Sequence, residues 1–266
     1  MAVLKTVPIE RPALWGGTLL REYFRYPWFG DGAGQSWSFS GQEGQSNVVE
    51  NGPYRGKTLR ELWREAPQLF QSRCSDFPVI ISLVAPMDDL SIQIHPNAQV
   101  ARAEGYSTGK NEAWYFLEQP EAGNIVYGQR AKDEPALRAM VAADRWDALV
   151  EQLPVAKGDF VYLPAGILHA LGKGGIVYEI QQATDVTYRF YDYHRKDAQG
   201  NERPLHLEQA IACVDYALSA SDAHPPVVTQ ALDAAEMTTF IRDESFCVSR
   251  FVVWGAQPLR FSGYQL

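Results

Sequence analysis

Short stretches of alternating apolar and polar residues, or of β-branched and aromatic residues, recur along the chain between turn-forming residues. This pattern predicts strands over 77–86, 90–96 and 112–119. Three later segments have the same character, namely "DFVYLPAG", "GIVYEIQQ" and "VTYRFYDY", and "MTTFIRDESFCVSRFVVWG" predicts more strands near the end of the sequence. The chain is therefore predicted to contain many strands at close spacing.

Three other segments repeat apolar residues with the period of an α-helix. Residues 57–71 are predicted to be helical with Thr58 as N-cap, and residues 133–154 to form two short helices that end at Pro154. Residues 205–218 are predicted to form one more helix. Because the helices interrupt the strands instead of alternating with each of them, the order favours a mainly β sandwich or barrel over a doubly wound α/β sheet.

Composition narrows the class of protein without identifying it. The 266 residues are 46% hydrophobic and 21% charged, which is enough to bury the core of one large domain or two small ones. A net charge of −8 argues against a general nucleic-acid or membrane-surface binder, because such proteins usually carry a basic excess. Any anionic ligand is thus expected to bind a local cluster of basic residues.

The beginning of the sequence, "MAVLKTVPIERPALWGG", contains no uninterrupted apolar stretch of the kind found in a secretory signal. No other segment approaches the roughly 18 consecutive apolar residues of a transmembrane helix. We therefore predict a cytoplasmic protein.

The stretch "SIQIHPN" places two polar side chains with potential chemistry on one face of a predicted strand. Ile92 and Ile94 alternate with Gln93 and His95, so the amide and the imidazole project from the same side. The strand then stops at Pro96. Gln93 and His95 are therefore candidates for a shared ligand on this face.

Two further candidates lie downstream. Glu112 opens the aromatic strand "EAWYF", and His169 follows a predicted turn in "LPAGILHALG". Taken singly, each has an ordinary structural explanation, such as a solvated glutamate or a histidine bonded to backbone. Together Gln93, His95, Glu112 and His169 offer the nitrogen and oxygen ligands that suit Zn²⁺, with Mn²⁺ or Fe²⁺ as alternatives. An ion with room for water or substrate would be catalytic.

Several motifs combine into a family resemblance. Gly158, Pro164, Gly166 and His169 follow the second motif of the cupin superfamily. Together with "LSIQIHPN", "GKNEAWYF" and "YEIQQATDVTYRFYDY", they resemble the type I mannose-6-phosphate isomerases. The resemblance covers most of the chain up to about Tyr216. It implies a cupin-fold, metal-dependent enzyme that interconverts mannose 6-phosphate and fructose 6-phosphate, with the four residues above as metal ligands.

The same resemblance implies roles for other residues. Arg189 matches an active-site arginine that could neutralise an enediolate, and Lys110 matches a lysine assigned to substrate binding or proton transfer. A lysine beside a cation and an arginine is expected to have a lowered pKa. Asp185 is predicted to be catalytic and Glu179 to bind substrate, although either carboxylate could act as base or orienting group. Ser91 is predicted to contact the phosphate or the sugar.

The predicted partner is a small sugar phosphate, with no nucleic acid and no membrane, and the protein is predicted to be a monomer or homodimer. Lys110, Arg189 and Arg195 are the local cations expected to hold the phosphate. We predict a cupin-type catalytic domain with helical insertions over 1–218 and a short C-terminal β segment over 219–266. Because the family usually continues further to complete a second β-sandwich, this segment is expected to be shortened or incomplete.

Two other functions stay open on the sequence. One is a metal cupin with different chemistry, such as an oxygenase or another sugar isomerase. The other is a non-catalytic cupin that binds a sugar phosphate, which the short C-terminal region favours. A binding protein has no evident need for four metal ligands, so the isomerase is the preferred hypothesis.

Overall fold

The computed structural model of the chain describes residues 3–70, 72 and 74–256. Two large antiparallel sheets dominate it. The first sheet has six strands in the order β1-β2-β5-β12-β7-β10: β1 (Ile9–Gly17), β2 (Ala33–Phe39), β5 (Val79–Val84), β7 (Glu112–Glu118), β10 (Phe160–Leu163) and β12 (Ile176–Gln182). The second has five in the order β13-β6-β11-β8-β9: β6 (Ile92–Ile94), β8 (Asn124–Gln129), β9 (Val150–Pro154), β11 (His169–Ala170) and β13 (Tyr188–Tyr191).

Two smaller sheets and six helices complete the described part. The strands are β3 (Gly41–Gln42) with β4 (Gln45–Ser46), and β14 (Val228–Ala231), β15 (Ala235–Arg242) and β16 (Cys247–Val253). The helices are α1 (Leu19–Phe24), α2 (Leu59–Glu65), α3 (Ala98–Ala103), α4 (Glu134–Ala142), α5 (Trp146–Leu149) and α6 (Leu207–Cys213). None of the described helices is long and apolar enough to cross a membrane. The predicted mainly β architecture with inserted helices is confirmed.

An apolar core joins the two large sheets. Trp114 and Phe116 of β7 pack in one cluster with Ile125 and Tyr127 of β8, and all four side chains are at most 1% exposed. Burial of such large side chains stabilises the fold by about 1.5–3 kcal/mol each. The two sheets therefore form one packed sandwich, and polar groups within it need specific partners.

All three helix predictions are wrong in extent. The helix predicted over 205–218 spans only Leu207–Cys213. Residues 150–154 are not helical but form β9, because Leu153 and Gln152 pair with Ile125 and Val126 of β8. The tertiary pairing outweighs the local helical period.

The helix predicted over 57–71 ends at Glu65. Pro67 follows, and a residue before proline avoids helical backbone, so Ala66 adopts φ −137° and a separate 3-10 turn begins. Gln71 lies outside the described residues. The predicted N-cap is confirmed, since the Thr58 hydroxyl accepts a hydrogen bond from the backbone N–H of Glu61.

The sheet β14–β16 packs directly on the first large sheet. Phe240 of β15 stacks on Phe160 of β10 with ring centroids 4.8 Å apart, and the Tyr162 hydroxyl donates to Asp243 at 2.6 Å. The boundary predicted between residues 218 and 219 stays a prediction.

Candidate metal centre and active site

Paired strands and the facing sheet bring five of the predicted site residues together. In the second sheet His169 of β11 pairs with Gln93 of β6, and Arg189 of β13 pairs with Gln93 from the other side. His95 follows β6 directly, while Glu112 begins β7 in the first sheet. The ligand candidates thus come from both walls of the sandwich, which explains why they are far apart in sequence.

A glycine turn fixes the position of His169 relative to His95. Gly166 has φ 97°, a left-handed backbone that favours glycine. Its backbone N–H donates to the carbonyl oxygen of His95 at 3.0 Å. The turn therefore ties the end of β6 to the segment that leads into β11.

Three of the predicted ligands form a buried cluster. His95 Nε2 lies 3.3 Å from Glu112 Oε1, and His169 Nε2 lies 3.5 Å from Glu112 Oε2. One ligand atom from each residue lies within 4.8 Å of the others, and all three side chains are buried. Gln93 borders the cluster, with its Nε2 3.5 Å from His169 Nε2 and its Oε1 accepting from Ser91.

Hydrogen bonds to backbone orient both imidazoles toward the cluster. His95 Nδ1 lies 2.9 Å from the carbonyl oxygen of Val186, and His169 Nδ1 lies 3.0 Å from that of Ile167. Because a carbonyl oxygen only accepts, each Nδ1 carries the proton and each Nε2 presents its lone pair to the cluster. This arrangement is typical of metal-binding histidines.

The polar atoms that face each other in the cluster lack donors. His95 Nε2 and Glu112 Oε2 are buried and have no hydrogen-bond partner within the described part of the chain. A buried acceptor without a donor costs about 1–3 kcal/mol, and a divalent cation would satisfy both atoms at once. The donor set of two imidazole nitrogens and a carboxylate therefore fits a metal ion such as Zn²⁺.

Burial keeps the two histidines neutral. It lowers the pKa of His169 to about 3, and it also lowers the pKa of His95, where the positive charge of Lys110 acts in the same direction. Burial alone would raise the pKa of Glu112, but Lys110 together with His95 and His169 outweighs burial and holds that pKa well below its usual range. The cluster thus presents two neutral nitrogens and one carboxylate at neutral pH, as metal binding requires.

These shifts predict how the stability of the metal-free protein depends on pH. His169 binds a proton near pH 6.5 when unfolded but only near pH 3 when folded, so the free energy of unfolding falls as the pH drops below 6.5. We expect His169→Asn to lose less of this free energy between pH 7 and 5 than the unmodified chain, as measured by urea unfolding with chelator present. His194→Asn, at an exposed histidine, is the matched control. Equal losses in the His169→Asn variant and the unmodified chain would contradict the expectation.

Lys110 belongs to the same buried group. Its Nζ lies 3.0 Å from Glu112 Oε1, and the residue is 4% exposed. Burial lowers the pKa of Lys110, but the charges of Glu112, Glu179 and Asp185 outweigh burial and raise it. In the metal-free chain the pKa of Lys110 is therefore raised, and its lowering beside a bound cation stays a prediction.

The two carboxylates predicted for the site, Glu179 and Asp185, have different environments in the structure. Glu179 is 5% exposed and accepts hydrogen bonds from Ser82 Oγ at 2.6 Å and Trp114 Nε1 at 3.0 Å. Burial, followed by the charge of Glu112, raises its pKa to about 7. Asp185 has a side chain that is 53% exposed and forms an ion pair with Arg11 at 3.0 Å.

A cavity of about 920 Å³ opens beside the cluster. Seven of the predicted residues line it: Ser91, Gln93, Lys110, Glu112, Glu179, Asp185 and Arg189. Arg195 does not line this cavity and instead lies 3.3 Å from Asp192 and 3.6 Å from Asp88. The space is sufficient for a small molecule, since typical ligand cavities measure about 300–1,000 Å³.

Sequence reasoning missed three basic residues of the cavity. Arg11 of β1 lies 4.4 Å over the ring of Trp37 and reaches the cavity beside Asp185. Arg203 and His206 enter from the segment before α6, where His206 Nδ1 accepts the backbone N–H of Arg189 at 3.2 Å. None of the three lies in a metal-binding motif, so no local pattern marked them.

Known proteins resemble this chain over most of its length. Residues 12–125 match the model of the family "Phosphomannose isomerase type I, catalytic domain". The chain is 39% identical to the mannose-6-phosphate isomerase of Streptococcus mutans over 93% of its own length and 78% of the relative's. It is 36% identical to mannose-6-phosphate isomerase ManA of Bacillus subtilis over 95% of its length and 80% of that protein's.

Solved structures of related proteins have the same fold as this chain. The crystal structure of a mannose 6-phosphate isomerase from Bacillus subtilis superposes with a TM-score of 0.90 at 34% identity, covering 95% of this chain and 81% of that one. A mannosephosphate isomerase structure from Archaeoglobus fulgidus, at 17% identity and a TM-score of 0.66, shares the fold, with 89% of this chain and 75% of that one covered. These matches confirm the predicted cupin-type fold and the predicted isomerase family. The chain belongs to the type I mannose-6-phosphate isomerases, also called phosphomannose isomerases.

Proposed function

We propose that the chain catalyses the interconversion of mannose 6-phosphate and fructose 6-phosphate with one divalent metal ion. The observation that carries this proposal is the buried His95–Glu112–His169 cluster, which borders a cavity also lined by Lys110 and Glu179. Aldose–ketose isomerisation needs a group that moves a proton between C1 and C2, and positive charge to stabilise the enediolate. The cavity offers both beside a metal-ligand set.

In this proposal His95, Glu112 and His169 bind the ion, and Gln93 is the fourth ligand. A half-turn of the Gln93 amide would present its oxygen to the cluster, since the two amide ends have nearly the same shape. The bound metal would hold sugar oxygens and stabilise the negative charge that develops on them. Zn²⁺ is the proposed ion because two imidazoles, a carboxylate and an amide oxygen suit its ligand preferences.

Glu179 is the proposed proton-transfer group. A carboxylate with a pKa near 7 can both accept and release a proton at neutral pH. Ser82 and Trp114 donate to its two oxygens and hold the carboxylate in one orientation. Transfer of the proton from C2 to a Glu179 oxygen and back to C1, with the O2 hydroxyl proton passing to O1, would convert the aldose into the ketose through a cis-enediol.

The neighbouring polar groups take supporting roles. The Lys110 ammonium keeps Glu112 ionised and can donate to a sugar oxygen, and the positive charge of Arg189 can neutralise the enediolate. Ser91 is proposed to contact substrate, as predicted from the sequence. Asp185 is proposed to orient Arg11 at the edge of the cavity, in place of the catalytic role predicted for it. Cytoplasmic location and a monomeric or homodimeric state stay predictions.

The test is conversion of mannose 6-phosphate to fructose 6-phosphate by the purified chain, before chelation, after chelation and with Zn²⁺ restored. We expect turnover that disappears on chelation and returns with metal. Binding of the sugar phosphate by the folded, zinc-loaded protein without turnover would overturn the proposal in favour of a binding protein. A reaction that consumes O₂ would instead identify an oxygenase.

A further inference from the structure

Two arginines, Arg189 and Arg203, line the same cavity. Burial lowers the pKa of Arg189, and the positive charge of Arg203 acts in the same direction. Like charges held together in a partly buried place are unfavourable unless an anion joins them.

Arg189 also has an unmet hydrogen-bonding group. Its Nε is buried and has no partner among the described residues. No ion pair of the described chain involves its guanidinium group, whereas Lys110 is paired with Glu112 and Arg11 with Asp185. Arg195, the third cation predicted to hold the phosphate, also has unpartnered Nε and Nη1 atoms, but it pairs with Asp192 and Asp88 and does not line the cavity. Of the predicted cations that line the cavity, Arg189 is therefore the one without an ion pair among the described residues.

Arg203 is held in a fixed orientation by a buried carboxylate. Its Nε and Nη2 donate to the two oxygens of Asp192, both at 2.6 Å, and Asp192 is 4% exposed. This bidentate pairing occupies one edge of the guanidinium group and leaves Nη1 outside it. The pairing thus positions Arg203 without using all its donors.

The charges around this pair favour an anion. Asp192 is shared between Arg203 and Arg195, and Asp88 also pairs with Arg195, so these four groups carry no net charge and Arg189 adds one positive charge. A phosphate monoester carries about −1.5 to −2 at pH 7 and offers three acceptor oxygens. We propose that Arg203, positioned by Asp192, binds the phosphate of the substrate together with Arg189 and so makes the cavity selective for phosphorylated sugars. This inference rests on the proposed function and adds a specificity-determining residue to it.

The experiment measures phosphate recognition apart from catalysis. Glucitol 6-phosphate and glucitol, two polyols that cannot isomerise, are titrated calorimetrically into the zinc-loaded protein. Arg203→Met should weaken binding of glucitol 6-phosphate by about 10- to 100-fold, as expected for the loss of charge-assisted hydrogen bonds, and leave binding of glucitol unchanged. In the unmodified chain, glucitol 6-phosphate should bind more tightly than glucitol, and this advantage should decrease at pH values under about 6 because the phosphate gains a proton. In the Arg203→Met variant the advantage should be smaller at every pH.

Arg138→Met is the matched control. Arg138 forms a similar bidentate pair with Glu208, at 2.8 and 2.9 Å, but does not line the cavity. It should keep the affinity of the unmodified chain for both polyols. If thermal unfolding shows that Arg203→Met is not folded, Arg203→Lys is titrated instead. This variant should weaken binding of glucitol 6-phosphate by about 3- to 10-fold, because an ammonium group lacks the planar pair of donors of a guanidinium group.

The outcomes separate this inference from the proposed function. If the unmodified chain converts mannose 6-phosphate but the folded Arg203 variant binds glucitol 6-phosphate as tightly as before, the inference is overturned and the proposed function stands. If the unmodified chain binds glucitol 6-phosphate in an Arg203-dependent way but does not convert mannose 6-phosphate, the proposed function fails and phosphate recognition by Arg203 is supported.

Discussion

Replacing Glu112 by glutamine is expected to lower kcat/KM for mannose 6-phosphate by about 10³-fold or more and to weaken zinc binding. Glu112 is the one charged residue of the His95–Glu112–His169 cluster, and its two oxygens lie 3.3 and 3.5 Å from the two imidazoles. A metal ion contributes several kcal/mol to transition-state stabilisation, and each 1.36 kcal/mol corresponds to about tenfold in rate. Removing the charged ligand should forfeit most of that contribution.

The same change is expected to destabilise the metal-free protein. Lys110 is 4% exposed and pairs with Glu112 at 3.0 Å, so glutamine leaves a buried ammonium without its nearest counter-charge. Removing one partner of a buried ion pair typically lowers the free energy of unfolding by about 3–5 kcal/mol. The double variant Glu112→Gln with Lys110→Met should recover part of this free energy of unfolding without recovering activity.

Three measurements check the Glu112 prediction: zinc content after dialysis, kcat/KM at saturating zinc, and urea unfolding. Glu118→Gln is the matched control, since it changes the same residue type on the same strand at a surface pair with Lys157. Surface pairs contribute about 0–1 kcal/mol, so the control should resemble the unmodified chain. A Glu112→Gln variant that retains zinc and full activity would show that the cluster is not the catalytic metal site.

Part of the proposed metal-ligand set could be predicted from the sequence because strand alternation constrains it. Alternation in "SIQIHPN" puts Gln93 and His95 on one face, and the structure keeps them beside β11. The pairing of His169 with Gln93, and the approach of Glu112 from the opposite sheet, depend on contacts between distant segments. The residue types indicated which side chains could bind one ion together, and the tertiary fold determines their relative positions.

Other features of the site depend on burial, which a single sequence does not specify. Glu179 and Asp185 are both carboxylates in family-like segments, yet one is 5% exposed and the other has a side chain 53% exposed. Arg11 reaches the cavity because β1 pairs with β2, which places the Arg11 guanidinium group over the ring of Trp37. Strand β9 was not predicted because its extended conformation depends on pairing with β8, a contact between distant segments.

Replacing Glu179 by glutamine is expected to lower kcat by about 10²- to 10⁴-fold with a much smaller change in KM. Glutamine has nearly the same shape and can still accept from Ser82 or Trp114, but it cannot take up the substrate proton. General acid–base catalysis by a positioned side chain typically contributes a factor of this size. The loss should therefore appear in the chemical step, with binding retained.

The pH dependence distinguishes this role from a structural one. In the unmodified chain kcat should fall as the pH decreases through about 7, because Glu179 must be ionised to accept a proton. The residual activity of Glu179→Gln should lack that dependence, and the rate at which the sugar takes up solvent deuterium at C1 and C2 should fall with kcat. Zinc content should stay unchanged, because Glu179 is not a member of the ligand cluster.

Asp185→Asn is the matched control, since it removes a carboxylate from the same cavity. Asp185 pairs with Arg11 at the solvent-exposed edge, so this variant should keep kcat within about tenfold of the unmodified chain and retain the pH dependence. The reverse result, a large loss for Asp185→Asn and a small one for Glu179→Gln, would assign proton transfer to Asp185. It would also show that a buried carboxylate with a raised pKa can serve only to orient its neighbours in this cavity.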